Sequence, residues 1–273
     1  MSENESRFSR LPKPQGNTRP PELLDDRRID VKSQRNEDAF GQMLWDHHQG
    51  KRSVEIVERE DGWVGVAGGP TAYFKSYDDW RPHEQEAVKH ARGRVLDVGC
   101  GPGRHAIHQQ DQGLDVFGID VSPLAIRTAR ARGLRNARLF QVTQVSSKLG
   151  RFDTIIMMGN NFGLFANLKR ARWLLRRFHG MTGPDARIIA ESADPYTTTK
   201  ECHLDYQKAN RKRGKFSLQM TIRIRYEQLI GPWFEYLKVS QDEMESILVG
   251  TGWRISKFIP DTGDIYCGIM EKV

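Results

Sequence analysis

Residues 95–103 read VLDVGCGPG, an apolar run that ends in glycines at alternate positions, Gly99, Gly101 and Gly103. Glycine accepts positive φ and has no side chain, so a ligand can lie directly against the backbone there. A helical pattern follows, and the start of a helix offers unpaired N–H groups. Asp97 stands two residues ahead of the first glycine. A carboxylate at that point would repel a phosphate and attract an ammonium. A second acid, Asp120, follows the next apolar run, 115–119, and suits the hydroxyls of a ribose. The spacing GxGxG also differs from the GxGxxG of nicotinamide dinucleotide sites. The chemistry implied is the grip of a nucleoside that carries a cationic amino-acid end.

The elements that must position these residues follow from periodicity. From residue 94 onward, short β-rich runs alternate with helical patterns. Strands are expected over 94–98, 115–119, 137–142, 153–158 and 186–191. Helices are expected at about 103–112, 122–132 and 167–180. Ser122 with Pro123 is a helix-start signal. Such alternation implies a parallel sheet with helices on both faces, whose ligands bind outside the carboxyl ends of the strands. Upstream, 37–49 has helical spacing, 53–66 reads as a strand pair turning at Asp61–Gly62, and Pro82 opens a helix. Downstream, 216–226 alternates apolar and polar residues as a half-buried strand, and 233–239 returns as its partner. Ser240 and Glu243 form a capping box for a helix over 241–249, and 253–259 with 265–271 forms a terminal hairpin.

RVLDVGCGPGRHA followed by VFGIDVSPLAI resembles motifs I and II of the class I methyltransferases that use S-adenosylmethionine (SAM). FDTIIMMGNNFGLF at 152–165 is similar to that family's fourth strand and the loop after it. The tail, with RIRY, GPWF, TGW and DTGDIYCGIMEK, resembles the small-molecule branch. The resemblance spans roughly residues 37–273. It implies a Rossmann-like α/β fold with a seven-stranded sheet and an antiparallel last strand. It also implies an N-terminal helical lid over 36–92 and a methyltransferase domain over 93–273, with a β insertion at about 197–239 between strands five and six. Residues 1–35, rich in Pro, Ser, Asn and charge, read as a disordered tail.

By that resemblance SAM is the cofactor. The backbone of Gly99, Cys100, Gly101 and Gly103 faces its methionine and ribose, Asp97 serves its ammonium and Asp120 its ribose. Val121 lies beside the adenine, and Gly159 and Asn160 line the methionine side. Where the family often places an acid against the adenine amine, this chain has Gln141, Val142 and Thr143, of which Thr143 is the expected contact. Tyr73, Tyr77 and Trp80 are spaced to fold over the cleft, the two tyrosines against the cofactor and Trp80 against the acceptor; packing of the lid helix is the competing role. Glu191 and Asp194 end strand five near the transferred methyl, with Glu191 the better base and Asp194 open to plain turn chemistry before Pro195. His47 is a further proton acceptor candidate. Tyr196, Arg225, Tyr226, Trp233 and Phe234 belong to the insertion and are the expected acceptor contacts.

Composition narrows the partners. The chain has 273 residues, 28% of them charged, and a net charge of +7. No run approaches 18 apolar residues and no secretory pattern opens the chain, so a soluble, cytoplasmic protein without a membrane partner is expected. Cys100, Cys202 and Cys267 are far apart with no CxxC, so no metal is expected. Eight Lys or Arg fall in 200–225 against Glu201 and Asp205. That stretch is a solvated face, or a rim that attracts an anion. The loop GNNF at 159–162 lacks the Asp/Asn-Pro-Pro-Tyr/Phe of enzymes acting on DNA bases, which counts against nucleic acid. The leading expectation is methyl transfer to a N, O or C atom of a small, partly aromatic metabolite, of the alkaloid or cyclic-peptide kind. The alternatives are an RNA or protein methyltransferase using 200–225, and a non-catalytic SAM-binding partner subunit.

Overall fold

The structure, a computed structural model, describes residues 37–273; the tail expected over 1–35 lies outside the described residues. Seven strands form the main sheet. In chain order they are β3 (Arg94–Val98), β4 (Asp115–Asp120), β5 (Ala137–Leu139), β6 (Phe152–Met157), β7 (Thr182–Ala193), β11 (Trp253–Pro260) and β12 (Ile265–Lys272). Their spatial order is β11-β12-β7-β6-β3-β4-β5. The five strands from β5 to β7 are parallel, and β12 runs antiparallel to both β7 and β11. This is the expected Rossmann-like sheet.

The strands are apolar on both sides because helices cover both sides. One layer is α2 (Pro82–Val88), α3 (Arg104–Asp111) and α4 (Pro123–Ala131), packed on Val95, Val116, Ile156, Ile189 and Ile269. The other is α5 (Leu168–Gly180) and α7 (Gln241–Leu248), packed on Leu96, Phe117, Ile155, Ile188 and Met270. The N-cap side chains of Ser122, Asn167 and Ser240 accept backbone N–H bonds at the starts of α4, α5 and α7. No helix among the described residues is long and apolar enough to cross a membrane.

A second sheet closes the open end of the first. It joins β1 (Ile56–Arg59) and β2 (Val64–Val66) to β8 (Leu218–Tyr226), β9 (Leu229–Ile230) and β10 (Phe234–Lys238), in the order β10-β8-β1-β2 with β9 beside β8. The hairpin at Asp61–Gly62 and the returning strand β10 are as expected. The antiparallel pairing of β1 with β8, Val57 opposite Ile224 and Arg59 opposite Ile222, was not foreseen. It makes the N-terminal segment and the insertion one roof. The lid is therefore mixed, with α1 (Ala39–His48) and the hairpin, rather than helical alone. Helix α1 wedges Ala39, Met43 and Leu44 between Ala125 of α4 and Tyr226 of β8. Asp38 fixes its start, accepting hydrogen bonds from Gly41 N, Ser122 Oγ and Leu124 N.

Helix α6 (Glu201–Lys212) was also missed, because its buried face is polar. Gln207 donates to Pro195 O, and Asn210 donates to Ser217 O and Gln219 O. Hydrophobic periodicity cannot register such a face. Arg59, only 2% exposed, ties α6 to the roof. Its guanidinium grips Asp61 with two bonds of 2.8 Å, meets His203 Nδ1 at 3.1 Å and lies over the Tyr206 ring at 4.0 Å. Replacing Arg59 by Met keeps the stem but strips this network, at an expected cost of about 2–4 kcal/mol. Thermal unfolding of Arg59→Met should fall by roughly 5–10 °C; an unchanged midpoint would mean the fork does not hold the roof.

Candidate active site

The two sheets border a half-open cavity of about 1480 Å3. Its floor is the carboxyl end of the parallel strands, and its ceiling is the inward face of the roof. The glycine bend supplies one wall. Gly99, Gly101 and Gly103 all have positive φ, +73°, +53° and +84°. A Cβ on Gly99 would meet Asn161 Nδ2 at 2.6 Å, while nothing lies within 4 Å of one on Gly101. Gly99 is thus fixed by packing, and Gly101 faces open space. Asn161 pins the bend from β6, donating to Val98 O and Gly99 O at 3.0 and 2.9 Å.

Asp120 holds the bend from β4. One carboxylate oxygen accepts from Gly101 N and the other from Ser122 N, both at 2.9 Å. Burial pushes its carboxyl up to about 6, against those two bonds. Asp97 is 3% exposed, with its carboxyl pushed up to about 8 by burial and by Asp120. It has no cation in ion-pair range among the described residues. A cationic ligand group nearby would relieve that state. Farther along, Val121, Phe140, Val142 and Thr143 form a largely apolar shelf.

The loop after β6 carries the centre of the site. Asn160 has left-handed backbone, φ +62°. Its N–H donates to Glu191 Oε1 at 2.9 Å, and its C=O accepts from Tyr236 Oη of β10 at 2.6 Å. Its side-chain Oδ1 is buried without a partner. Behind Glu191 stands His83, 1% exposed at its side chain, between Glu191 Oε2 at 3.5 Å and Asp261 Oδ1 at 3.3 Å. Burial alone would lower the imidazole, but the two carboxylates raise it above its ordinary value. His83, Glu191 and Cys267 also bring ligating atoms within 4.8 Å of one another.

From the ceiling, β1 and the residue before it point Glu55, Val57 and Arg59 inward. Glu55, 4% exposed, accepts from Tyr73 Oη at 3.1 and 3.2 Å. Burial pushes its carboxyl up to about 7, although the tyrosine works the other way.

Of the expected site residues, Gly99, Cys100, Gly101, Asp120, Val121, Thr143, Gly159, Asn160, Tyr73, Glu191, Asp194 and Phe234 line this cavity. Asp97 and Gly103 lie behind its wall. Others sit elsewhere for clear reasons. Tyr77 stacks on His108 at 4.3 Å, and Trp80 packs edge-on against His105, so both fasten the lid to α3. His47 packs on Phe74. Tyr196 bonds Ser217 and Glu243, and Tyr226 bonds Asp46. Arg225 faces outward on Glu58, and Trp233 lies exposed beneath Arg223. Asp194 caps the turn at Tyr196 N, as the turn reading has it. Glu55, Tyr236, Asn161 and Lys238 line the cavity without having been singled out. The available signal for Glu55 and Arg59 was charge repeating every second residue in a strand with Val57.

Bend, buried acids and capped sheet together make a Rossmann-like α/β domain with a candidate nucleoside site. Residues 95–185 match the family described as a methyltransferase domain. A glycine/sarcosine N-methyltransferase from Halorhodospira halochloris is 29% identical over 113 residues, which are 39% of this chain and 42% of that protein. The ribosomal RNA small subunit methyltransferase C of Klebsiella pneumoniae is 31% identical over 144 residues, 50% of this chain and 42% of that protein. The chain thus spans less than half the length of these curated relatives. A SAM-dependent methyltransferase from Bacteroides fragilis, solved with S-adenosyl-L-homocysteine, shares 22% identity at a TM-score of 0.73, covering 87% of this chain and 96% of that one. The CcbJ methyltransferase of Streptomyces caelestis shares 14% at 0.55, covering 74% and 98%. Residues 95–185 thus match a methyltransferase domain, and the chain shares the fold of enzymes that use SAM as cofactor.

The residues present fit that cofactor. Asp97 is a buried carboxyl short of a cation, Gly101 faces open space, and Asn160 Oδ1 is an orphaned acceptor. Asp120→Ala would leave Gly101 N–H and Ser122 N–H without their acceptor, at about 1–3 kcal/mol each if water cannot reach them. Titration calorimetry with S-adenosylhomocysteine is expected to show at least a tenfold loss of affinity in that variant. Unchanged affinity would detach Asp120 from the cofactor site.

Proposed function

We propose that this chain transfers the SAM methyl group to a N, O or C atom of a small, partly aromatic metabolite held beneath the roof. The observation that carries this reading is the shared cavity: the glycine bend and Asp120 open into the same space as Val57, Met220, Ile222 and Ile224. A half-open, mainly apolar cleft with a few fixed polar groups suits a small acceptor.

SAM supplies, when bound, an activated methyl on a sulfonium. The protein's task is to align a lone pair with it and to exclude water. Asn160, fixed at both backbone groups, is the aligning residue. Glu191 holds that residue and so acts through it. The acceptor's proton then needs a base, and Glu55 is the acid on the ceiling whose buried carboxyl ionises near neutral pH. Tyr73 donates to both of its oxygens and fixes its orientation. Asp194 and His47 have their side chains engaged elsewhere.

A ribosomal RNA methyltransferase among the relatives keeps an RNA acceptor as the second reading. Against it, the basic stretch is partly neutralised: Arg223 and Arg225 both pair with Glu58 on the outer face, and Lys208 pairs with Asp205. An RNA enzyme would bind RNA with steep salt dependence. Absence of such binding, with labelled methyl appearing in a metabolite fraction, would favour the small acceptor. A chain that ignores S-adenosylhomocysteine and takes up a nicotinamide dinucleotide would end both readings.

The base has a pH signature. Glu55 accepts a proton only when ionised, so kcat/KM should rise with pH through an inflection near 7. Glu55→Gln should remove the inflection and lower turnover about a hundredfold. Glu191→Gln should lower turnover but retain it. An inflection that persists in Glu55→Gln would assign the base elsewhere.

A further inference from the structure

Strand β10 ends at Lys238, on the same inward face as Tyr236 and opposite Leu218 of β8. Its side chain lines the cavity, and its ammonium has no hydrogen bond or ion pair among the described residues. Three other cations on the cavity wall are matched within the fold. Arg59 is held by Asp61, Arg81 by Asp261 and Arg104 by Glu84. Burial lowers the Lys238 ammonium below its ordinary range, while Asp264 and Glu191 offset this from beyond contact distance. Lys238 is half-buried, and a cation held on an inner wall without a counter-ion points to a ligand that completes it. From Lys238 toward the glycine bend, the ceiling is lined by Leu218, Met220 and Ile222.

We infer that the acceptor carries a single carboxylate that seats on Lys238, with its apolar body against Met220, Ile222 and Tyr236. This rests on the reading of the cavity as an acceptor chamber. A dianionic phosphate suits the place less well: one ammonium offers it too few donors, and Asp264 and Glu191 would repel the second charge.

The probes are indole-3-acetate and indole-3-acetamide, alike in ring and shape but not in charge. Their binding to the full chain is followed by saturation-transfer NMR at neutral pH, with and without S-adenosylhomocysteine. The acid should bind the wild type about tenfold tighter than the amide. Lys238→Met keeps the aliphatic stem and should bring the two within twofold, whereas Lys238→Arg should restore the preference. S-adenosylhomocysteine affinity should be the same in all three proteins. A wild type that fails to bind the acid, or prefers the amide, overturns the inference. So does a preference that survives in Lys238→Met. A wild type that does not take up S-adenosylhomocysteine sinks the methyltransferase reading separately, since the comparison of acid with amide is also made without it.

Discussion

Asn160 is where the two halves of the molecule meet, and its conformation depends on both. A non-glycine residue in left-handed backbone costs about 1–2 kcal/mol, less for Asn than for most. Glu191 from the main sheet takes its N–H, and Tyr236 from the roof donates to its C=O. A hydrogen bond to a charged acceptor contributes about 1.5–3 kcal/mol, enough to offset that strain. The residue next to it, Asn161, then reaches the glycine bend. Three separate elements (β7, β10 and the turn after β3) are therefore registered on one dipeptide. The space between glycine bend and ceiling is set by bonds rather than by a flexible lid alone.

The main sheet and the glycine bend were legible because their signals are local. VLDVGCGPG puts strand, bend and helix start within nine residues, and each glycine answers a positive φ. Asp120 closes an apolar run, and its neighbour Ser122 begins the next helix, so one short segment reports both the cap and the acid that holds the bend. The roof was not legible for the opposite reason. Val57 pairs with Ile224 across most of the chain, and neither strand carries a mark of its partner. Its inward face mixes Glu55 and Arg59 with Val57, so binary patterning points no residue to the core. Tyr77 and Trp80 teach a related lesson. Their spacing serves a cofactor lid and a packed helix equally, and only the presence of His105 and His108 across the gap decides for packing.

The electrostatics of the cavity oppose stability in a definite direction. Asp97 and Glu55 both have carboxyls raised by burial, to about 8 and about 7. The unfolded chain binds fewer protons than the folded one between their ordinary values and these. Their contribution to stability is therefore whole below about pH 4 and is lost as pH rises through 7 and 8. Glu84 runs the other way: burial works against its charge, but His105 and Arg104 hold its carboxyl down to about 2. Its stabilising share is present above its ordinary value and lost only in strong acid. Glu84 thus has its counter-charges within the fold, in Arg104 and His105, whereas Asp97 and Glu55 have no cation in ion-pair range among the described residues.

That division separates structural charge from functional charge without reference to any relative. Where a buried ionisable group is matched within the fold, as Arg59 is by Asp61 and Arg104 by Glu84, its energetics are complete and a ligand has nothing to add. Where it is unmatched at a cavity wall or just behind one, a bound group can supply the missing partner. Asp97 lacks a cation behind the glycine bend, Glu55 stays poised near neutrality on the ceiling, and Lys238 lacks an anion farther along β10. In the proposed reaction those signs suit a cationic group at the cofactor end, a proton to be lost in the middle and an anion at the acceptor end. A parallel sheet alone could not arrange that sequence of charges. It arises because the roof brings β1 and β10, far apart in the chain, over one row of strand ends.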